Sequence, residues 1–451
     1  VTAALGIDVG MSGVRAAVVD EGGALLGTGR AACRTRLSAG RAEADPREWL
    51  RGALQAGAAA VTEAGVAVDA IAVSALGPAP VLVTREGEPL SPALLFGLDR
   101  RAEEQRERLG VTHDHALPKL LWWAEHEPAL VARAATAVDA AGFVVAGLSG
   151  ELVMDTITAE AYVVEGVDPP VPLPAPCDPL ARAGGLSRGP SATLGVAAGT
   201  PVIAGTLDSY ADVAGTGSAP GTGCLLLGST LIVYAVWPEP VAVPGLEVQH
   251  QPAPGVLVGG SSVCGGATLD WLEGLLGEGS GDLHVLPPGA GGLLALPYLA
   301  GERTPVNDPF ASGAVLGLTY STTRDELCRA FVDAVALSAL DHVDRLRAAG
   351  LDPTRWRVAG GATRNAALLH ACCDALGRPL DLMPHAGAAI GPAALALRAT
   401  GAPSQPSPER TIEPDAARTA RFAVLLDAYR GAYAGLGSSM RRLSQDLTFE
   451  G

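Results

Sequence analysis

Residues 4–8 read Ala-Leu-Gly-Ile-Asp, apolar up to a final carboxylate; 9–13 are small and flexible, and 14–20 are apolar again before the Glu21-Gly22-Gly23 turn. Short apolar runs bounded by turn residues predict buried strands, so the chain opens strand, turn, strand, with a third strand from Ala24. Asp45-Pro46-Arg47-Glu48 then supplies an N-cap aspartate, a proline at the first helical position and a glutamate at the third, and Gly65 closes that helix. A strand returns over 71–74.

The opening pattern occurs twice. Residues 223–227, Gly228-Ser229-Thr230 and 231–237 again read strand, glycine-hydroxyl turn, strand, which suggests an internal duplication of a phosphate-facing hairpin. Between the copies, 167–190 is crowded with proline and glycine and has neither helical nor strand period, so it reads as a linker or irregular surface segment. The domain boundary is placed near Gly215, giving domains over 1–215 and 216–451. Further on, Thr323-Arg324-Asp325-Glu326 forms a capping box for a helix ending near Gly350, with Leu327, Phe331, Ala334 and Ser338 on one face. A strand over 356–359, a helix over 365–376 stopped by Gly377, and a helix over 390–399 with Pro392 in its first turn complete an α/β pattern.

Composition narrows the function. With 451 residues, 48% of them hydrophobic, the chain can build two cores. A net charge of -16 without any basic block repels nucleic acid and anionic membrane, which leaves a small molecule as the expected partner. Seven cysteines without CxxC spacing read as buried thiols in a reducing compartment. No basic leader precedes the first strand, and the apolar runs are broken well before a membrane span of about 20 residues, so a cytoplasmic location is expected.

Phosphoryl transfer needs donors around the phosphates, a carboxylate near a metal, and a base for the attacking hydroxyl. Asp8 ends a strand and is followed by Gly10-Met11-Ser12-Gly13, whose bare amides suit a phosphate nest, with Arg15 just beyond. The alternative for Asp8 is a turn-capping aspartate. The apolar run 201–207 delivers Asp208 into small residues, where it can accept a hydroxyl proton; a helix N-cap is its alternative. Gly360-Gly361, after the 356–359 strand, allows close approach of a base or ribose, or makes an ordinary strand-to-helix turn.

These blocks in this order resemble the FGGY carbohydrate kinases: Gly6-Ile7-Asp8 with Gly10 and Arg15, Asp45-Pro46 with Trp49, Lys119-Leu120 with Trp122, Ala204-Gly205 with Asp208, and Leu227-Gly228-Ser229-Thr230. The block over 296–305, containing Gly301-Glu302-Arg303-Thr304-Pro305, then Gly360-Gly361 and Leu376-Gly377-Arg378-Pro379, extends the resemblance over nearly the whole chain. It implies two ribonuclease H-like domains, as in sugar kinases, actin and chaperone ATPases, with an interdomain cleft. It also implies ATP and magnesium as cofactors, a sugar or polyol substrate, a pentulose by family frequency, and allows a homodimer. On the matching positions Asp208 is the base, and Asp8 and Asp208 are the carboxylates near the metal. The phosphate loops are Gly10 to Gly13 with Arg15 and Gly228-Ser229-Thr230; the adenosine loop is Gly360-Gly361, with Asn365; and Gly77, Pro78, Asp99 and Asp208 face the sugar.

Three departures qualify the resemblance. Met11 stands where the family places a threonine that faces the γ-phosphate, and a thioether cannot donate that bond. The segment Ala75-Leu76-Gly77-Pro78-Ala79 lacks both the xylulokinase Gln-Met-His-Gly and the glycerol kinase Arg-Glu pair, and a surface salt bridge is the alternative for Asp99. The stretch 155–200 is short, so part of a sugar-side lid is expected to be absent. Substrates such as a hexulose, gluconate or a glycerol-like polyol therefore stay open, as do a catalytically weakened binding protein and an actin-type ATPase. Gly185-Leu186-Ser187-Arg188-Gly189 spells a nucleophile elbow but falls in irregular chain. His113-Asp114-His115 lacks the further ligands of a metal site, and there is no P-loop motif.

Overall fold

The first apolar run forms β1 (Ala3–Val9), buried along its whole length. Its alternate residues serve two cores: Leu5 and Ile7 pack with Trp49 and Phe143 on one face, while Ala4 packs with Ile390 and Ala393 on the other. The computed structural model describes residues 2–38, 40–112, 115–277, 281–384, 389–402 and 406–446, so His113 and Asp114 lie outside the described residues.

Two further strands, β2 (Gly13–Asp20) and β3 (Leu25–Ala32), continue β1 as an antiparallel meander in which Asp8 stands opposite Arg15. The helix Pro46–Ala64 follows, with Asp45 accepting from the Arg47 amide at 3.0 Å and Gly65 ending it at φ 61°. Glu48 does not turn back on its own cap. Its carboxylate takes the Arg34 amide at 2.9 Å and ties the helix to the chain leaving β3.

Next, β4 (Ala70–Ala75) runs parallel to β1. Beyond it lie β5 (Arg182–Gly185) and β6 (Pro201–Leu207); β6 is parallel to β4, and β5 pairs antiparallel to β6, giving the order β5-β6-β4-β1-β2-β3. The segment 167–190 is thus no linker, since it contributes the edge strand β5. Ladder bonds use only the main chain, and Arg-Ala-Gly-Gly offers no alternation of apolar side chains by which a strand can be recognised.

A second sheet repeats the plan. Here β7 (Gly223–Leu227), β8 (Leu231–Trp237), β9 (Glu247–His250), β10 (Val256–Ser262), β11 (Trp356–Ala359), β12 (Leu380–Leu382) and β13 (Arg410–Ile412) take the order β9-β10-β8-β7-β11-β12-β13. The antiparallel triplet β7-β8-β10 mirrors β1-β2-β3, and β11 and β12, both parallel to β7, mirror β4 and β6. The duplication therefore extends from one hairpin to a five-strand core.

Between β10 and β11, the helix Arg324–Ala348 forms the expected capping box. Instead of presenting one apolar face it is buried on every side from Cys328 to Val343. Its buried charges are paired: Arg329 bonds Asp333 at 2.8 Å and reaches the Leu283 carbonyl at 3.0 Å, and Asp341 takes Arg430 at 2.6 Å. Paired in this way, a charged residue no longer marks a solvent face.

The chain forms two compact units, Val1–Gly217 with Ala386–Ser407, and Ser218–His385 with Pro408–Gly451. The two-segment division at Gly215 misses the return of the helix Ile390–Ala399 to the first unit. That helix lies against β1 so closely that a Cβ on Gly6 would stand 2.2 Å from the Ala389 carbonyl oxygen and 2.3 Å from the Ala393 nitrogen. Among the described residues, no helix is long and apolar enough to cross a membrane.

Candidate active site

In the first unit β1, β4 and β6 run parallel, and their carboxyl ends deliver Asp8, Ser74 and Asp208 together. Asp8 is buried, and the Ser74 hydroxyl donates to its Oδ1 at 2.8 Å. Among the described bonds its side chain caps no turn amide; the turn is closed instead by the Gly10 amide on the Gly13 carbonyl at 2.9 Å. Asp208 is the first residue of the helix Asp208–Gly215, whose N-cap is Leu207, so the N-cap alternative does not hold. Its carboxylate accepts from the neighbouring Ser209 amide at 2.7 Å.

One helical turn further on is Asp212, which the sequence reading did not single out. Its Oδ1 is buried without a hydrogen-bond partner. The i,i+4 spacing from Asp208, which puts both carboxylates on one helix face, was the available signal. Burial, more than any neighbour, sets the protonation of the three groups. It pushes Asp208 up to about 6, opposed by the Ser209 amide and Arg15. Burial and then the Asp208 charge push Asp8 up to about 7, and burial with the charges of Asp8 and Asp208 pushes Asp212 well up. A single guanidinium, Arg15, pulls all three down.

The loop after β1 is open. Met11 is 51% exposed and Ser12 is exposed, while the Thr35 hydroxyl donates to the Met11 carbonyl at 2.7 Å and the Cys33 amide to the Ser12 carbonyl at 3.2 Å. The loop is thereby pinned through its main chain, leaving its side chains outward.

In the second unit the parallel strands β7 and β11 likewise end together, delivering Gly228-Ser229-Thr230 and Gly360-Gly361. The Gly228 amide donates to the Thr230 carbonyl at 3.0 Å, and Ser229 is exposed. Behind the loop, the helix Gly266–Leu276 directs its first amides at it, Gly266 to the Gly228 carbonyl at 2.8 Å and Ala267 to the Ser229 carbonyl at 3.2 Å. Gly360, at φ 110°, touches the end of β7: a Cβ there would lie 2.4 Å from the Leu227 carbonyl oxygen. Asn365 caps the helix Ala366–Leu376, its Oδ1 accepting from the Leu368 amide at 3.0 Å.

Of the sugar-side residues, Gly77 lies against Leu207, the residue before Asp208, and against Asp139, and Pro78 is buried beside it. Asp139 accepts from the Ala79 amide at 2.8 Å and the Tyr162 hydroxyl at 2.7 Å. Asp99 is in a salt bridge, but a buried one. Its oxygens take the Ala42 amide at 2.9 Å and Arg101 at 2.7 Å, and Arg101 also pairs with Glu43 at 2.8 Å and stacks over Trp122. Ser187 does lie between a strand, β5, and the short helix Arg188–Leu194, contrary to the irregular setting expected. Among the described bonds none joins it to a histidine or carboxylate, so the elbow spelling carries no chemistry.

The chain matches the N-terminal domain of the FGGY family of carbohydrate kinases over residues 3–163 and the C-terminal domain over 221–400. It is 31% identical to the xylulose kinase of Streptomyces coelicolor over 92% of this chain and 90% of that one. With the xylulose kinase of Streptomyces rubiginosus it shares 32% identity over 93% and 90%. The crystal structure of xylulose kinase from Rhodospirillum rubrum superposes with a TM-score of 0.86 at 27% identity, covering 98% of this chain and all of that one. Both domains, in order, and relatives aligned nearly end to end place this chain in the FGGY family, and it is a carbohydrate kinase.

Proposed function

We propose that this kinase transfers the γ-phosphoryl group of ATP to a hydroxyl of a pentulose, with Asp208 as the base. The observation that carries the reading is the meeting of Asp8, Ser74 and Asp208 at the ends of three parallel strands, with Arg15 directly across from Asp8. Asp208 accepts the proton of the attacking hydroxyl. A carboxyl raised to about 6 is still ionised at neutral pH yet is a stronger proton acceptor than an ordinary aspartate. Ser12, the amides of Gly10 to Gly13 and Arg15 donate to the phosphoryl group, Gly228-Ser229-Thr230 forms the second phosphate loop, and Gly360-Gly361 borders the adenosine. Gly77 and Pro78 stand in the sugar's path beside Asp208, and Asp99 serves that side through its ion pair with Arg101. The names of the relatives support the pentulose.

The residues fit magnesium. Three carboxylates share one guanidinium, and the buried Asp212 Oδ1 has no donor of its own. Among the described residues no three acidic, histidine or cysteine side chains converge as a direct ligand cage, which suits an ion that keeps most of its waters. Asp8 and Asp208 would hold it, and when bound it would neutralise phosphate charge.

ATP turnover with D-xylulose, D-ribulose, D-fructose and glycerol tests the proposal. Asp208→Asn should lower kcat by about 10²–10⁴-fold on the preferred sugar; equal rates in both proteins would remove Asp208 as the base. A second reading, a sugar-binding protein with weakened catalysis, is motivated by Met11 and by the short stretch 155–200. Tight sugar binding by calorimetry without turnover on any of the four would establish it.

A further inference from the structure

Glu302 lies in the second unit, buried at 4% exposure, in the block Gly301 to Pro305. Its Oε2 accepts from the Ser262 hydroxyl at 2.6 Å, and its Oε1 from the Val263 amide at 2.8 Å and the Arg303 amide at 2.7 Å. Ser262 is the last residue of β10, paired across the sheet with Leu231, the residue that immediately follows Gly228-Ser229-Thr230. Glu302 therefore grips β10 at the point where it leaves the sheet beside the loop.

Its neighbours reinforce that grip. The Thr304 hydroxyl donates to the Ser261 carbonyl at 2.9 Å, Arg303 donates to the Ser261 hydroxyl at 3.2 Å, and Thr304 packs so tightly over Gly260 that a Cβ there would lie 2.2 Å from its Oγ1. From Ser262 the chain needs only three residues to reach the loop. The Cys264 amide returns to the Ser262 hydroxyl at 3.3 Å, and Gly265 presses on the loop itself, where a Cβ would stand 2.6 Å from the Ser229 carbonyl oxygen and 2.8 Å from the Thr230 Cα. Gly266 and Ala267 then donate to the carbonyls of Gly228 and Ser229. With those carbonyls occupied from behind, the loop's conformation follows the turn 262–265, and the turn follows Glu302.

We propose that Glu302 is the positioning residue of the second glycine-hydroxyl loop, fixing through Ser262, Val263 and Gly265 the shape in which Gly228-Ser229-Thr230 receives phosphate. The proposal rests on reading that loop as a phosphate site. A carboxylate suits the task because one group must accept from a hydroxyl and two amides at once, and hydrogen bonds to a charged acceptor are about twice as strong as neutral ones.

The experiment is titration calorimetry of the whole protein with ADP and magnesium, alongside thermal melting without ligand. Glu302→Ala should weaken ADP binding by about tenfold or more, and Glu302→Gln, which keeps the shape and an acceptor oxygen, should restore most of it. A folded Glu302→Ala protein that melts earlier but binds ADP within twofold of wild type overturns the proposal. Should that variant not fold, Ser262→Ala, which removes one bond of the clamp and keeps the carboxylate, decides in the same way. The pair Ser229→Ala and Thr230→Val tests the loop directly. Wild-type ADP affinity there defeats the phosphate-loop reading, whereas weakened ADP there with intact affinity in the Glu302 and Ser262 variants defeats only the positioning role.

Discussion

In the loop Gly10 to Gly13, proposed as the first phosphate loop, Met11 has a side chain that brings no hydrogen-bond donor to a phosphate. The loop around it is held by main-chain bonds, Gly10 to Gly13 and Thr35 to the Met11 carbonyl, and the side chain is half exposed, so a threonine fits without repacking. Met11→Thr should raise kcat by roughly tenfold, the worth of one hydrogen bond to a charged oxygen, and leave the sugar KM unchanged. Steady-state kinetics with a saturating sugar checks this, and an unchanged kcat would mean that the loop amides already supply all the donors used. At this scale Asp8, Asp208 and Arg15 were legible as residue types at strand ends. Asp212 was not, because an aspartate on a helix surface and one with a buried, unpaired oxygen look the same in a sequence.

Elements with an apolar signature were legible to within a residue or two. β7, β8 and β11 have the expected limits, and the helix Ile390–Ala399 begins and ends where Pro392 and the apolar run place it. β5 was not legible because it pairs through its backbone alone, and the burial of the helix Arg324–Ala348 on every side was not legible because Arg329 and Asp333 neutralise one another inside the core. Docking of the helix Ile390–Ala399 depends on a bare Cα at Gly6, where any side chain meets the Ala389 carbonyl and the Ala393 nitrogen at under 2.5 Å. Gly6→Ala should destabilise the first unit by about 2–4 kcal/mol, since backbone on both sides must move. Urea unfolding measures it; a change below 0.5 kcal/mol, estimated as the usual ceiling for a surface substitution, would show that the helix can retreat freely.

Over the whole molecule, the pH dependence of stability should follow from the few carboxylates that burial raises. Burial raises Asp8 to about 7 and Asp139 and Asp208 to about 6, from an unfolded value of 3.8. A raised carboxyl favours the folded state most when both states are protonated, below the unfolded value, and that contribution is lost as pH rises through about 6 to 7. Buried His342, lowered to about 4, acts oppositely, costing stability as pH falls below 6.5. Three carboxyls outweigh one imidazole, so without magnesium the melting temperature should be higher at pH 5.5 than at pH 8, conditions chosen at roughly the edges of this window. Asp8→Asn and Asp212→Asn should each raise the pH 8 value and shrink the difference, at the expense of activity. Melting curves at the two pH values check both points, and a higher melting temperature at pH 8 in the wild type would contradict them.

Strands and helices that carry apolar runs, the two glycine-hydroxyl turns and the aspartates that end strands can be read along the chain, because each depends on contiguous residues and their period. Which of these meet is set by how the sheets pair and the helices pack. Parallel pairing of β1, β4 and β6 brings together residues 8, 74 and 208. A helix from beyond residue 385 completes the first unit, and Glu302 reaches the second loop through a strand end some forty residues earlier in the chain. Such contacts arise from the register of the sheets and the space between packed backbones, and neither is written in any single stretch of chain.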